Sequence, residues 1–234
     1  MTMRGMAFLP IWHGIADGHD DEFERWHTEE HLPERVATPG ILAGRRYAKA
    51  AGERLRYFTL YEAASFEVFA SEGYYATANA RSAWTMRVHP HFIDFLRAPC
   101  HLVMTRGRGH GGALLTVRIR FTSSQGADGL AAKDAYTLAV RPIVESFAAM
   151  PLVTGSHAGV VASVARRPLS AQSLSLRPGA TEFDGVLLVE FASRGAMERA
   201  CEPMAATLAE HLRAFADFEM DRYDLSQVIA ARDG

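Results

Sequence analysis

The sequence has little of three features that would assign it a compartment or a macromolecular partner. Its 234 residues include two cysteines, Cys100 and Cys201, with no CxxC or histidine-paired spacing, so we expect reduced thiols and a cytosolic protein. The formal net charge of −2 gives no electrostatic reason to bind nucleic acid or an anionic membrane. No apolar run approaches the ~18–20 residues that span a bilayer, and the N-terminus lacks a signal-peptide pattern.

The residues that are present suit an α+β fold. The chain is 48% hydrophobic and 22% charged, which is ordinary for a globular protein. Strand and helix patterns follow the order strand, helix, strand, strand, helix, strand, and then repeat it. The first half has predicted strands at Met6–Trp12, Gly40–Lys49, Arg54–Tyr61 and Ala98–Arg106, a helix from Asp20 or Asp21 to Leu32, and helical segments over Ser65–Ser71 and Tyr74–Ala83. The second half has predicted strands at Leu114–Phe121, Leu152–Ala162, Gly185–Phe191 and Phe218–Ile229, helices at Ala131–Ala149 and Arg194–Phe215, and a loop at Arg166–Thr181.

The two halves of the chain also resemble each other in sequence. Pro39–Gly44 can be laid over Met150–Gly155, and Leu60–Ser65 over Leu188–Ser193. A duplicated βαββαβ unit is the economical explanation. A four-stranded sheet with helices on one face leaves its other face uncovered, and a second copy can cover it.

We therefore predict an α+β protein made of two tandem ferredoxin-like repeats, packed sheet to sheet as an intramolecular dimeric α+β barrel. The predicted repeats are residues 1–106, which carry the candidate site, and residues 112–234, a degenerate copy without it.

The first predicted helix carries polar groups on the face that should be apolar. Its inward stripe, spaced i, i+3, i+4, i+7 and i+8, consists of Phe23, Trp26, His27, Glu30 and His31. Burying a neutral polar group without a partner costs about 2–7 kcal/mol, so these groups either pair with each other or line a pocket. The matching helix of the second half, around Asp134–Pro142, has no histidine at these positions, which favours a pocket in the first half. Because proline disfavours the αR conformation of the preceding residue, we expect the helix to end at Leu32, before Pro33.

This stripe predicts proton-transfer chemistry. A neutral imidazole near a carboxylate can act as a general acid or base near neutral pH. His31, placed at the expected helix end and so near an opening, is the first candidate, with His27 one turn before it. Glu30 would orient His31 or raise its pKa, and Trp26 would form an apolar wall. The alternative is a purely structural His–Glu pair that fixes the end of the helix.

The same stretch resembles a known family. Asp21–Tyr47, with Trp26, the run Glu30-His31-Leu32-Pro33, Pro39-Gly40 and Arg45-Arg46-Tyr47, resembles the EthD-like group of dimeric α+β barrel proteins. The resemblance extends over about residues 6–106 and is faint over 112–229. It implies relatives that include cofactor-free polyketide cyclases, monooxygenases, lactone isomerases and dehydratases, so we expect no cofactor. His31 is the histidine that matches the motif of the family.

Further residues of the first half are candidates for substrate binding. Arg45 and Tyr47 lie on a predicted strand, where an arginine could bind a carboxylate or an enolate, although a solvated role is the simpler interpretation. Tyr75, Asn79 and Trp84 could close the pocket with a hydrogen-bond donor and an aromatic lid; ordinary packing is the alternative.

The run from His27 to His31 also fits the H-x-x-E-H zinc motif. Two histidines four residues apart can bind a metal, but a third ligand would have to come from elsewhere in the chain. The pattern is short enough to arise by chance, and the EthD-like resemblance already accounts for it. We therefore predict no metal.

Two functions remain. The first is a cofactor-independent enzyme that uses a histidine as general acid or base on a small hydrophobic carbonyl or phenolic compound, such as an isomerase, cyclase, dehydratase or monooxygenase. The second is a non-catalytic binding protein for an apolar ligand or haem, with His31 as the axial ligand of the haem. Neither involves nucleic acid or a membrane, and a homodimer is an open alternative to the single chain.

Overall fold

The computed structural model describes residues 3–122, 130–162 and 183–231, and the predicted loop Arg166–Thr181 lies outside them. The chain folds into two compact units. The first consists mainly of Arg4–Pro99, and the second of Cys100–Val161 together with the described residues up to Leu225. No helix in the described ranges is both long enough and apolar enough to cross a membrane.

The first unit is a βαββαβ repeat with the ferredoxin-like strand order. Its strands pair antiparallel in the order β4-β1-β3-β2. The strands are β1 (Ala7–Ile15), β2 (Ile41–Ala48), β3 (Tyr57–Ala63) and β4 (Phe92–Arg97). The helices are α1 (Asp20–Trp26), a π-helical turn (His27–His31), α2 (Leu32–Val36), a 3₁₀ turn (Phe66–Ala70), α3 (Glu72–Asn79), α4 (Ala83–Val88) and a 3₁₀ turn (His89–His91).

The second unit repeats this order around a larger apolar core. Its strands are β5 (Cys100–Gly107), β6 (Ala113–Phe121), β7 (Val153–Val161), β8 (Gly185–Phe191) and β9 (Ala216–Ala230), of which the part up to Leu225 belongs to this unit. Its helices are α5 (Leu130–Ala148) and α6 (Arg194–Leu212). The strands pair antiparallel in the order β9-β6-β8-β7-β5. The α+β fold class and the tandem ferredoxin-like repeats predicted from the sequence are therefore confirmed.

The predicted fourth strand of the first repeat, Ala98–Arg106, is wrong. The edge strand of this repeat is β4, which ends at Arg97, and Pro99 separates it from β5. Proline has no N–H to donate to a strand ladder, so a continuous strand through this position is disfavoured. β5 pairs instead with β7 of the second unit, from Cys100↔Val161 to Gly107↔Gly155.

The predicted end of the first helix before Pro33 is also wrong. Leu32 keeps αR dihedrals (φ −66°, ψ −45°), and its N–H donates to the carbonyl of His27, five residues earlier. In an α-helix the N–H of residue 33 would bond to Glu29, which proline cannot do. The wider hydrogen-bonded turn from His27 to Leu32 allows the helix to continue although Pro33 donates no hydrogen bond, and it ends at Val36.

Strand register shows how the two repeats correspond. A bulge occurs at Ile41/Ala43 opposite β3 and at Val153/Gly155 opposite β8. Ala43 lies opposite Glu62, and Gly155 lies opposite Glu190. The correspondence is therefore shifted by one residue from the sequence overlay, which had matched Gly44 rather than Ala43 to Gly155.

A buried polar pair occupies the same place in both repeats. Arg45 Nη2 donates to Glu62 Oε1 at 2.5 Å, and both side chains are fully buried. At the corresponding positions, Nε2 of the buried His157 lies 3.2 Å from Oε1 of Glu190. The backbone N–H of Arg4 donates a further hydrogen bond to Glu62 at 2.7 Å. Such pairs are strongly destabilising when only one partner is removed.

We expect Arg45→Met to lower the free energy of unfolding by about 3–5 kcal/mol, because it leaves the Glu62 carboxylate buried without its cation. Adding Glu62→Gln removes the uncompensated charge and should recover most of that loss. Urea unfolding of the wild type, both single variants and the double variant measures the coupling. Additive losses in the double variant would contradict the pairing.

Candidate functional site

The first unit contains a pocket between its first helical segment and its sheet. Its cavity volume is about 40 Å³, within a cleft of about 610 Å³ that includes the open mouth. The smaller figure describes the enclosed space, because the larger one includes bulk solvent. The apolar and aromatic lining consists of Ile11, Trp26, Tyr61, Tyr74, Phe92 and Phe95. The main polar lining consists of His13, His27, His31, His89, Arg35 and Arg97.

Polar contacts hold the helix that forms one wall of the pocket against the sheet. The Tyr57 hydroxyl on β3 donates to Asp20 Oδ1 at 2.7 Å and to Glu24 Oε1 at 2.9 Å. Arg46 Nη1 on β2 donates to the Glu24 carbonyl and to the Thr28 hydroxyl, at 3.1 and 3.0 Å. Several bonds from two strands thus fix the position of the helix before the π turn begins.

His27 is the deepest imidazole of the π turn. It is 3% exposed, and its Nε2 lies 3.3 Å from the Thr59 hydroxyl on β3. Burial lowers the pKa of His27 well below its usual value of 6.5, and the positive charge of Arg46 and the nearby His13 lower it further. His27 is therefore neutral at physiological pH. Its buried Nδ1 has no hydrogen-bond partner among the described residues, so it offers a free donor or acceptor at the pocket wall.

His31 lies one turn further along and is half-buried. Its ring stacks on the indole of Trp26, with centroids 4.3 Å apart and planes 25° apart. The centroids of the His27 and His31 rings are 5.6 Å apart. Both imidazoles line the pocket, one inside it and one nearer the surface.

The described hydrogen bonds of the Glu30 carboxylate connect it to the indole of Trp26 and to the start of α4. Its Oε1 accepts hydrogen bonds from the Trp26 indole (3.2 Å), the Ser82 hydroxyl (2.5 Å) and the Thr85 hydroxyl (3.1 Å). Ser82 and Thr85 belong to the N-terminal end of α4. Glu30 therefore fixes the indole on which His31 stacks. The reason is that the π turn points residue 30 toward α4 and away from the cavity.

The structure brings in two residues that sequence reasoning underrated or missed. Arg35 on α2 is 8% exposed and lines the pocket. It continues the i, i+4 spacing from His27 and His31, but the expected helix end at Leu32 removed it from consideration. His89, on the 3₁₀ turn after α4, is buried and packs edge-on against Trp26 with ring centroids 5.7 Å apart.

Five predicted substrate-binding residues do not line this pocket. Arg45 donates to its partner Glu62 and, at 3.0 Å, to the Tyr47 hydroxyl. The side chains of Arg45 and Tyr47 are therefore engaged with this buried pair and not with the pocket. Tyr75 and the exposed Asn79 are one position away from the lining residues, Tyr74 and Ala78, of α3.

The last of the five, Trp84, lies outside the pocket on α4. Its ring packs under the Arg25 guanidinium, 5.7 Å from the ring centroid, beside a separate surface cleft. Trp84 therefore packs against the exposed Arg25 of α1 and is not among the described residues that line the pocket.

Within the described ranges, no three His, Cys, Asp or Glu side chains are grouped closely enough to hold a metal ion. The H-x-x-E-H run fails to form such a group because Glu30 faces α4, while His27 and His31 face the cavity.

No described protein family matches the sequence, and no curated protein matches it. The fold is nevertheless similar to solved structures. A protein named as anthrone oxidase-like superposes with a TM-score of 0.63 at 11% identity, over 97% of this chain and 94% of its own. A proposed monooxygenase from Lactobacillus acidophilus gives 0.56 at 11% identity, over 97% of both chains. A haem-binding protein from Thermus thermophilus gives 0.52 at 9% identity, over 97% and 93%. At these identities the likeness shows the fold alone.

The burial of a neutral His27 predicts a pH-dependent stability. Unfolded His27 binds a proton as the pH falls below about 6.5, whereas the folded protein resists that protonation, so the free energy of unfolding should fall with pH in this window. The contribution of His27 is up to about 1.4 kcal/mol per pH unit. Urea unfolding measured between about pH 7.5 and about pH 5 gives the free energy of unfolding as a function of pH. This free energy should change less steeply with pH in His27→Gln than in the wild type. His211→Gln, at an exposed position of α6, is the matched control. Parallel slopes for the wild type and His27→Gln would contradict the assignment.

Proposed function

We propose that the first repeat is a cofactor-independent enzyme site of the EthD-like kind, in which His31 transfers a proton to or from a small hydrophobic carbonyl or phenolic compound. The observation that carries the proposal is the placement of two imidazoles in one aromatic-lined pocket, one of them held neutral by burial. Imidazoles suit this chemistry because their protonation can change near neutral pH.

The two histidines have different environments, which suggests different roles. His27 resists protonation, so it would serve as a neutral hydrogen-bonding group toward a substrate carbonyl, with its position fixed by Thr59. His31 lies nearer the pocket mouth and stacks on an indole that is itself fixed by Glu30. A general base needs such a fixed orientation, and we therefore assign proton transfer to His31 and its orientation to Trp26 and Glu30.

The cavity limits the size of the reacting group. A volume of about 40 Å³ is space for a few water molecules, at roughly 10–15 Å³ each. The reacting carbonyl or phenol end of a substrate would therefore occupy the cavity, and the remainder would lie in the mouth of the cleft.

Proton transfer can be tested before the full reaction is known. Isomerisation, cyclisation, dehydration and oxygenation of a carbon acid share one step, the removal of a proton from carbon next to a carbonyl or from a phenolic ring system. In D₂O this step exchanges carbon-bound hydrogen for deuterium, which NMR detects. We expect exchange with one or more members of a panel of cyclic ketones, lactones and anthrone, with oxygen uptake recorded in parallel for anthrone.

His31→Ala should lower the exchange rate by about 10²–10⁴-fold, the usual contribution of a general acid or base, while the far-ultraviolet circular dichroism stays unchanged. His101→Ala, at an exposed position of β5 in the other unit, is the matched control. Full exchange activity in folded His31→Ala would remove His31 from the proposed role.

A second candidate is binding without catalysis, favoured by the aromatic lining of the pocket. A small apolar ligand fits such a lining. A haem is larger than the enclosed cavity of about 40 Å³, so most of the macrocycle would have to lie in the mouth of the cleft. Binding without deuterium exchange for any panel member would favour this candidate.

A further inference from the structure

Arg35 is a buried cation with an unused hydrogen-bonding group. Its side chain lines the pocket, the residue is 8% exposed, and its Nη1 is buried with no hydrogen-bond partner among the described residues. The neighbouring Glu34 carboxyl experiences the positive charge of Arg35, but the two do not form an ion pair in the described part of the chain. Arg45, also buried, shows the contrast, because it has Glu62 as its counter-ion.

The remaining wall of the pocket does not neutralise this charge. Among the described residues that line the cavity, none is an aspartate or a glutamate, whereas two are arginines, Arg35 and Arg97, and four are histidines. Glu30, one of the two acidic residues of the π turn, faces Ser82 and Thr85 at the start of α4. Among the described lining residues, no carboxylate therefore offsets the charges of Arg35 and Arg97.

A buried arginine cannot lower the cost of burying its charge by losing its proton. The guanidinium stays charged at any physiological pH, unlike a buried lysine or histidine. Burying a charge without a partner is strongly unfavourable, so such a group in a pocket wall is explained when a ligand supplies the opposite charge. The planar guanidinium is suited to two parallel hydrogen bonds with a planar oxyanion.

We propose that Arg35 binds an organic oxyanion, so that the natural ligand of the pocket carries a carboxylate or an enolate or phenolate oxygen held at Arg35. The proposal rests on the proposed function for the use of this pocket and names the charge of the compound, but it does not depend on proton transfer by His31. If the two hold together, Arg35 would bind the substrate carboxylate, or the oxygen on which negative charge develops when a proton leaves carbon.

Binding of matched charged and neutral probes to the full-length protein tests the proposal by isothermal titration calorimetry. Acetate is compared with acetamide, and benzoate with benzamide, because each amide keeps the shape and loses the charge. The 4-nitrophenol probe is measured above and below its own ionisation, which distinguishes a phenolate site from a carboxylate site. We expect at least one anion to bind about ten-fold or more tightly than its neutral counterpart.

Arg35→Met should abolish that preference for the anion, and Arg35→Lys should retain only part of it because it keeps the charge without the planar fork. Arg106→Met, at an exposed arginine of the other unit, should bind like the wild type. Because Arg35 Nη1 has no hydrogen-bond partner among the described residues, Arg35→Met should also fold and melt no lower than the wild type. Benzoate should raise the melting temperature of the wild type alone.

Two results would overturn the proposal. One is that no anion binds better than its neutral counterpart, and the other is that folded Arg35→Met keeps the full preference. His31→Ala separates this proposal from the catalytic one. Anion preference that survives in His31→Ala while deuterium exchange disappears supports both. Exchange that persists in His31→Ala, with the preference still lost in Arg35→Met, removes the catalytic assignment and leaves the oxyanion site in place.

Discussion

The first unit depends on one backbone constraint, the passage of its helix through Pro33. Proline cannot supply the N–H that an α-helix needs, and the chain responds by widening one turn, so that the N–H of Leu32 reaches the carbonyl of His27. A π turn winds less per residue than an α turn, so side chains four apart stay closer to a single line. As a result His27, His31 and Arg35, which lie on three successive turns, all reach the same pocket.

This arrangement places three basic groups along one helical segment. His27 is neutral because burial, together with the positive charge of Arg46, lowers its pKa. Arg35 is charged because arginine does not release its proton in proteins, and His31 lies between them along the helix. In the second repeat the corresponding helix is α5, which supports a large apolar core and has no histidine in its sequence. Both copies therefore have a buried polar pair at the same place, Arg45–Glu62 in the first and His157–Glu190 in the second. The histidine-lined pocket described above belongs to the first copy.

Much of the fold could be predicted from the sequence because periodicity and duplication are strong signals. The site was predicted in part: the stripe through Trp26, His27 and His31 is a matter of spacing along one helix. Its errors have local causes. The rules for proline describe α-helices and do not anticipate a π turn. For this reason the sequence analysis excluded Arg35 from the candidate site and placed the Glu30 side chain beside His31. The face of short helix α3 depends on where it begins, and a shift of one residue replaces Tyr75 by Tyr74 in the pocket.

The most direct test of this account is a crystal structure of the protein grown with benzoate. The account predicts an unbroken helix from Asp20 to Val36, with the carboxylate of benzoate at the Arg35 guanidinium and the rings of His27 and His31 facing the same cavity. A helix that ends before Pro33, with the imidazoles turned to solvent and benzoate absent from the pocket, would contradict it.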